Sequence, residues 1–174
     1  MNQPPGDDAG TGRPRRRRAP TAELTPAQRA LGLLVRREHS QKELARKLRA
    51  KGVGKEEASA AVEQMTEAGW QSNERFAETL VRSRASQGHG PLRIRAELAM
   101  HGLDASAVQS ALDGYEEDWN RLAFDLVQRR FGPDISQDRQ RQRKAGEFLL
   151  RRGFSMEQMR RATQSSEFDD CFEG

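Results

Sequence analysis

The sequence predicts an all-α protein: three tandem three-helix repeats in an elongated, curved array, preceded by a disordered basic N-terminal tail. Three observations carry that expectation. In 174 residues, hydrophobic types make up 34% and charged types 32%, which suits several thin helical layers better than one round core. Ala, Leu, Arg, Glu and Gln dominate and β-branched runs are absent, so helix is favoured over strand. Finally, two markers recur in the same order. Leu34-Val35-Arg36-Arg37, Leu80-Val81-Arg82-Ser83 and Leu126-Val127-Gln128-Arg129 repeat at about 46-residue spacing. Leu48 to Gly52-Val53, Leu98 to Gly102-Leu103 and Leu149 to Gly153-Phe154 repeat at 50 and 51 residues. Two markers repeated three times define tandem units, expected over 25–71, 72–117 and 118–165, with a basic tail at 1–24 and an acidic tail at 166–174.

Residues 1–24 are rich in Pro, Gly, Asp and Arg and lack apolar periodicity, so disorder is expected. Arg13 and Arg15 to Arg18 can hold phosphate by charge alone, or form a plain solvated tail. Unit one starts at Thr25, a cap, with Pro26 at the first helical position and Gln28 closing a capping box. Leu31, Leu34 and Val35 are the expected buried stripe of its first helix. Ser40 with Glu43 forms a second box, and Leu44 and Leu48 point inward. Gly52 ends this helix in the left-handed conformation that glycine reaches at least cost. The third helix of each unit follows one rule: an apolar residue before the cap staples onto the helix, Val53 onto Ala58, Leu103 onto Val108, Phe154 onto Met159. Their caps are Gly54, Asp104 and Ser155. Val62, Met65 and Trp70 complete unit one; Val108, Leu112 and Tyr115 complete unit two.

The centre of the chain is Asn73 to Leu103. Two amphipathic helices, Asn73 to about Ser86 and Pro91 to about His101, flank the break Gly88-His89-Gly90-Pro91. Phe76, Ala77, Leu80 and Val81 give the first an apolar stripe, and Ile94 with Leu98 the second. Around these stripes stand Arg75, Arg82, Arg84, Arg93 and Arg95. Unit three begins near Trp119, with Leu122, Phe124, Leu126 and Val127 on its first helix. A longer polar loop from Gly132-Pro133 through Gln137 leads to a helix of about Asp138 to Arg152. That helix sets Arg139, Arg141, Arg143, Lys144, Arg151 and Arg152 against Phe148, Leu149 and Leu150. The last helix ends near Ser165. Phe76, Trp70, Trp119 and Phe154 recur at unit boundaries, where helical spacing makes them core residues before interface anchors.

Charge is unevenly spread. The formal net charge is +4, but residues 139–161 carry eight Arg or Lys against two Glu, and residues 162–174 carry four acids and no base. Such segregation indicates a basic working surface. The single cysteine, Cys171, cannot form an internal disulfide and fits a reducing cytosol. No stretch approaches the length of a membrane span and no signal core is present, so a soluble, cytoplasmic protein is expected. His39, His89 and His101 are scattered, and no metal site is assigned. The acids Asp113, Glu116, Glu117 and Asp118 read as a solvated helix end. With no phosphate-binding glycine loop and no nucleophile motif, neither an enzyme nor a cofactor is expected.

ERFAETLVRSR, followed by GHGPLRIRAELAMHGL, resembles the signature of the RecX family, bacterial regulators of the RecA recombinase. The most specific part is Phe76, Arg82, Arg84, Gly90, Pro91, Ile94, Leu98 and Gly102 taken in order. The resemblance covers roughly residues 26–165, and the Arg13 to Arg18 tail inherits nothing from it. It implies three tandem three-helix units in an extended, curved arrangement that binds RecA in the groove of its filament on single-stranded DNA; a monomer is expected. It also implies repression of ATP hydrolysis, strand exchange and the stimulated cleavage of the SOS repressor.

The expected contact residues for RecA or DNA are Arg82, Arg84, Arg93 and Arg95 in unit two, with Arg141, Arg143, Lys144, Arg151 and Arg152 in unit three. Phe76, Leu80, Ile94, Leu98, Gly52, Gly102 and Gly153 are expected to be core and turn positions. Direct binding to single-stranded DNA should be weak and salt-dependent. Two other readings compete: a helix-turn-helix DNA regulator, with the helix after Val53 in a major groove, and a helical adaptor for another protein. Against the first, the candidate recognition helix opens Glu56-Glu57, placing acid where phosphates would lie.

Overall fold

The structure, a computed structural model, describes residues 24–164; the expected N-terminal tail up to residue 23, the expected acidic tail and Cys171 lie outside the described residues. The helices are α1 (Pro26–Leu34), α2 (Gln41–Ala50), α3 (Lys55–Glu67), α4 (Asn73–Ser86), α5 (Pro91–Met100), α6 (Ala105–Asp113), α7 (Trp119–Phe131), α8 (Arg139–Arg152) and α9 (Met156–Gln164), with a 3-10 turn at Pro133–Gln137. Among the described residues there is no strand.

The ends of these helices are set by short-range hydrogen bonds. Thr25 and Gln28 form the expected reciprocal box, with Pro26 in the first turn. Ser40 caps α2 by accepting from the Glu43 amide at 3.1 Å, but the return half of that box is missing, because the Glu43 carboxylate is occupied by Arg37, His39 and Lys47. Ser155 and Gln158 form a full box at the start of α9. Gly52, Gly102 and Gly153 have φ of 85°, 84° and 87°, a conformation any side chain resists, so the three repeat turns need glycine.

Three separate cores form in series. Ala30, Leu44, Leu48, Val53, Ala58, Ala61, Val62 and Met65 fill the first. Phe76, Ala77, Val81, Ile94, Leu98, Leu103, Val108, Ala111 and Leu112 fill the second, with Leu80 packed against them. Ala123, Val127, Ile135, Ala145, Leu149, Phe154 and Ala162 fill the third. Each stapling pair falls within one core, and all extensive helix packing lies inside a unit.

Four expectations fail. Val35 is 75% exposed: α1 stops at Leu34, so the residue equivalent to buried Val81 and Val127 falls outside the helix. Trp70 is 56% exposed, in the α3–α4 turn and not in core one. The polar loop of unit three is a 3-10 turn that sends Ile135 into the core at 0% exposure. Leu150 is exposed, and the core takes Leu149 alone of that pair.

The two junctions differ in chemistry. Units one and two meet through side chains. Ser40 Oγ lies 3.1 Å from His101 Nδ1, Lys42 donates to the Met100 carbonyl, buried Gln71 donates to Asn73 Oδ1 at 3.0 Å, and Arg75 pairs with Glu38 at 2.9 Å. Units two and three add contacts of backbone to backbone: the Gly90 amide donates to the Arg152 carbonyl at 2.8 Å and the Leu92 amide to the Gly153 carbonyl at 3.0 Å. A Cβ at Gly90 would stand 2.5 Å from Gly153 and Phe154 backbone atoms, so this approach exists only because position 90 has no side chain.

Candidate partner-binding surface

The expected contact residues divide by what already holds them. Arg84, on α4, grips Glu97 of α5 through two nitrogens, Nε to Oε2 at 2.9 Å and Nη2 to Oε1 at 2.7 Å. This fork geometry is the strong form of the arginine–carboxylate pair. The hydrogen bond with Arg84 lowers the Glu97 pKa, and the same contact raises that of Arg84. Arg84 therefore clamps two helices of its own unit. Arg152 donates to the carbonyls of Gln87 at 2.9 Å and Gly88 at 3.1 Å, with its guanidinium 4.7 Å from the Phe148 ring centroid. It locks the α8 end onto the break between α4 and α5. Arg141 donates to the Phe131 carbonyl, closing the loop ahead of α8.

The others face outward. Arg82 and Lys144 are exposed and make no hydrogen bond or ion pair among the described residues. Arg93 is exposed on the first turn of α5, its backbone against Gly153. Arg95 donates to Gln109, which in turn donates to Asp113. Arg143 and Arg151 flank Glu147 along one stripe of α8 at 3.8 and 4.0 Å, all three exposed; such pairs dissociate readily in water. Arg130, absent from the expected set, stacks on the same Phe148 ring as Arg152, 4.9 Å from its centroid. Phe148 lies 18 positions further on and in another helix, so the pairing leaves no local signal, which is why sequence reasoning passed over it.

The histidines are structural. His39 is buried with Nδ1 2.9 Å from Glu43 Oε2, and the His101 ring lies 4.7 Å from Phe76. His89 has its pKa lowered by burial and then by Arg93, Arg152 and Arg84. Among the described residues no group of three His, Cys, Asp or Glu side chains is placed to hold a metal ion, and no helix is long and apolar enough to cross a membrane. The first turn of α3 carries Glu56 and Glu57 exposed, a poor face for a DNA groove.

Family comparisons agree with this three-unit frame. Residues 28–65, 72–112 and 116–163 match RecX, first, second and third three-helix domain respectively. Regulatory protein RecX of Stenotrophomonas maltophilia (strain K279a) is 58% identical over 158 residues, covering 91% of this chain and 94% of the relative. Regulatory protein RecX of Xanthomonas campestris pv. campestris (strain B100) is 56% identical over 142 residues, covering 82% and 88%. The crystal structure of RecX from Lactobacillus salivarius superposes with a TM-score of 0.69 at 24% identity, over 80% of this chain and 92% of that one, a likeness of fold. Three successive domain matches and relatives more than half identical leave one conclusion: the chain belongs to the RecX family.

Proposed function

We propose that this chain binds the RecA filament on single-stranded DNA and inhibits its ATP hydrolysis, strand exchange and coprotease activity. The observation that carries the reading is family membership across all three units. The chain acts as a cytoplasmic monomer without catalysis, by competing for the filament groove and altering contacts between protomers. Arg82, Arg93, Arg95, Arg143, Lys144 and Arg151 supply the charge that meets RecA or phosphate. Arg84, Arg141 and Arg152 contribute by holding that surface in shape, since their guanidiniums already have partners. Helices of 9 to 14 residues are roughly 14–21 Å long, and three units in series give a long face suited to a helical groove.

The test is RecA ATP hydrolysis on single-stranded DNA with substoichiometric amounts of this protein. A fall in rate is expected, and no effect with RecA shown active in the same tube would overturn the reading. Arg82→Glu should weaken inhibition with the helical signal intact, because Arg82 supports nothing else. Direct binding to single-stranded DNA should fall steeply with salt, since phosphate contacts release counterions.

A further inference from the structure

Between units two and three, α4, α6 and α7 line an open cleft of about 1290 Å³. Val81, Ala85, Ala111 and Leu122 give it an apolar floor, with Tyr115 at one end. Its walls carry Glu74, Glu78, Asp104, Glu116, Glu117 and Asp125 against only Arg82 and Arg129. Six carboxylates and two guanidiniums leave four negative charges, in a chain whose net charge is +4. Two of the acids read from sequence as a solvated helix end, Glu116 and Glu117, thus belong to a groove. Glu78 and Glu116 have no hydrogen bond or ion pair among the described residues. Asp125 is paired with Arg121 at 3.2 Å and Glu117 accepts from the Tyr115 hydroxyl at 3.1 Å. Acidic walls repel nucleic acid and attract an extended basic peptide.

The chain contains one such segment: Arg13-Pro14-Arg15-Arg16-Arg17-Arg18-Ala19-Pro20. We propose that the cleft is the docking groove for this arginine run of the same chain. Prolines at 14 and 20 favour an extended, pre-organised backbone. Arginine stems can lie on the apolar floor while their guanidiniums reach the carboxylate walls.

The connection is long enough. The chain enters α1 at Leu24, whose carbonyl accepts from Arg29, and Arg29 also donates to the carbonyl of Lys51 at the end of α2. From there α2, ten residues long, runs about 15 Å to Gln41, whose amide donates to Asn73, next to Glu74 of the cleft lining. Arg13 precedes Leu24 by 11 residues, a reach of roughly 37 Å when extended, which covers that path, so the run enters the cleft by its Arg13 end. Tethering at this length gives an effective concentration in roughly the millimolar range, so a modest contact suffices. Docked, the run is unavailable to phosphate; single-stranded DNA and the cleft compete for it. This goes beyond the RecA reading and does not depend on it.

The experiment uses the full chain with Cys171→Ser and Gly12→Cys, spin-labelled at position 12, and follows amide broadening by NMR. At roughly 50 mM salt the amides of Ala107, Ser110 and Ala111 should broaden, independently of protein concentration, and recover at roughly 500 mM salt. Glu78→Gln with Glu116→Gln should relieve most of the broadening and raise affinity for oligo-dT about threefold more than the charge-matched Glu56→Gln with Glu57→Gln. Four outcomes overturn the proposal: no broadening, broadening centred on α3, broadening that grows with concentration and so marks a second copy, or equal gains in the two double variants.

Discussion

Gly90→Ala probes the backbone-to-backbone contact between units two and three. The added Cβ would lie 2.5 Å from Gly153 C and O and from Phe154 N, well inside van der Waals contact and against atoms that cannot rotate away. Relief requires the start of α5 to lift from the Gly153 turn, which breaks the Gly90–Arg152 and Leu92–Gly153 hydrogen bonds. Each is worth about 1 kcal/mol, and residual overpacking adds about 1–3 kcal/mol, so the expected loss is about 3–5 kcal/mol. For a chain of this size that corresponds to a melting temperature lower by roughly 6–20 °C. The assay is urea and thermal unfolding by circular dichroism, with Gly32→Ala as the control. Gly32 lies inside α1 with nothing within 4 Å of an added Cβ, so that variant should gain about 0.5–1 kcal/mol. The first core, remote from the contact, should unfold unchanged. A cost below about 1 kcal/mol for Gly90→Ala would refute the backbone-contact junction.

Phe76→Ala should cost about 3–5 kcal/mol in the same unfolding assay, since Phe76 is 3% exposed and packs on His101; a loss of inhibition in that variant would therefore report folding and not contact. Arg84→Ala should lower stability by about 1 kcal/mol while Arg82→Ala stays within about 0.5 kcal/mol, and equal effects would deny the Arg84–Glu97 clamp. Acid should loosen unit one. Burial raises the Glu43 pKa, but the His39 and Arg37 contacts outweigh it and hold the carboxyl at about 2. A depressed carboxyl stabilises above its unfolded value and loses that contribution as pH falls from about 4.5 to about 2, here about 3 kcal/mol. His39, lowered first by burial, stays neutral in the fold while the unfolded chain takes up a proton, so it too withdraws stability as pH falls below about 6.5. Urea midpoints measured from pH 7 to pH 3 should decline, and Glu43→Gln should flatten the decline below about pH 4.5.

What the sequence by itself determined is whatever is encoded within a few residues. Thr25 with Gln28, Asp104 and Ser155 cap helices because the bonds they make span three residues. The Gly52, Gly102 and Gly153 turns follow from a conformation only glycine takes cheaply, and the cores of units one and two follow from helical spacing of apolar residues. Local patterns misled where a competing partner or an early helix end intervened. Glu43 fits a capping box but is claimed by Arg37, His39 and Lys47. Val35 continues a repeated marker but falls beyond the end of a nine-residue helix.

Only the tertiary structure decided which arginines are free. Arg82 and Arg84 are alike in sequence, yet Arg84 meets Glu97 thirteen positions on and Arg82 meets nothing among the described residues. Arg152 reaches carbonyls 65 and 64 positions back, and the acidic cleft takes its walls from three helices of two units. Charge and hydrogen bonding act over a few ångströms of space, whereas sequence orders residues along a line. The elements are therefore written locally, and the surface they present is settled when the units close on one another.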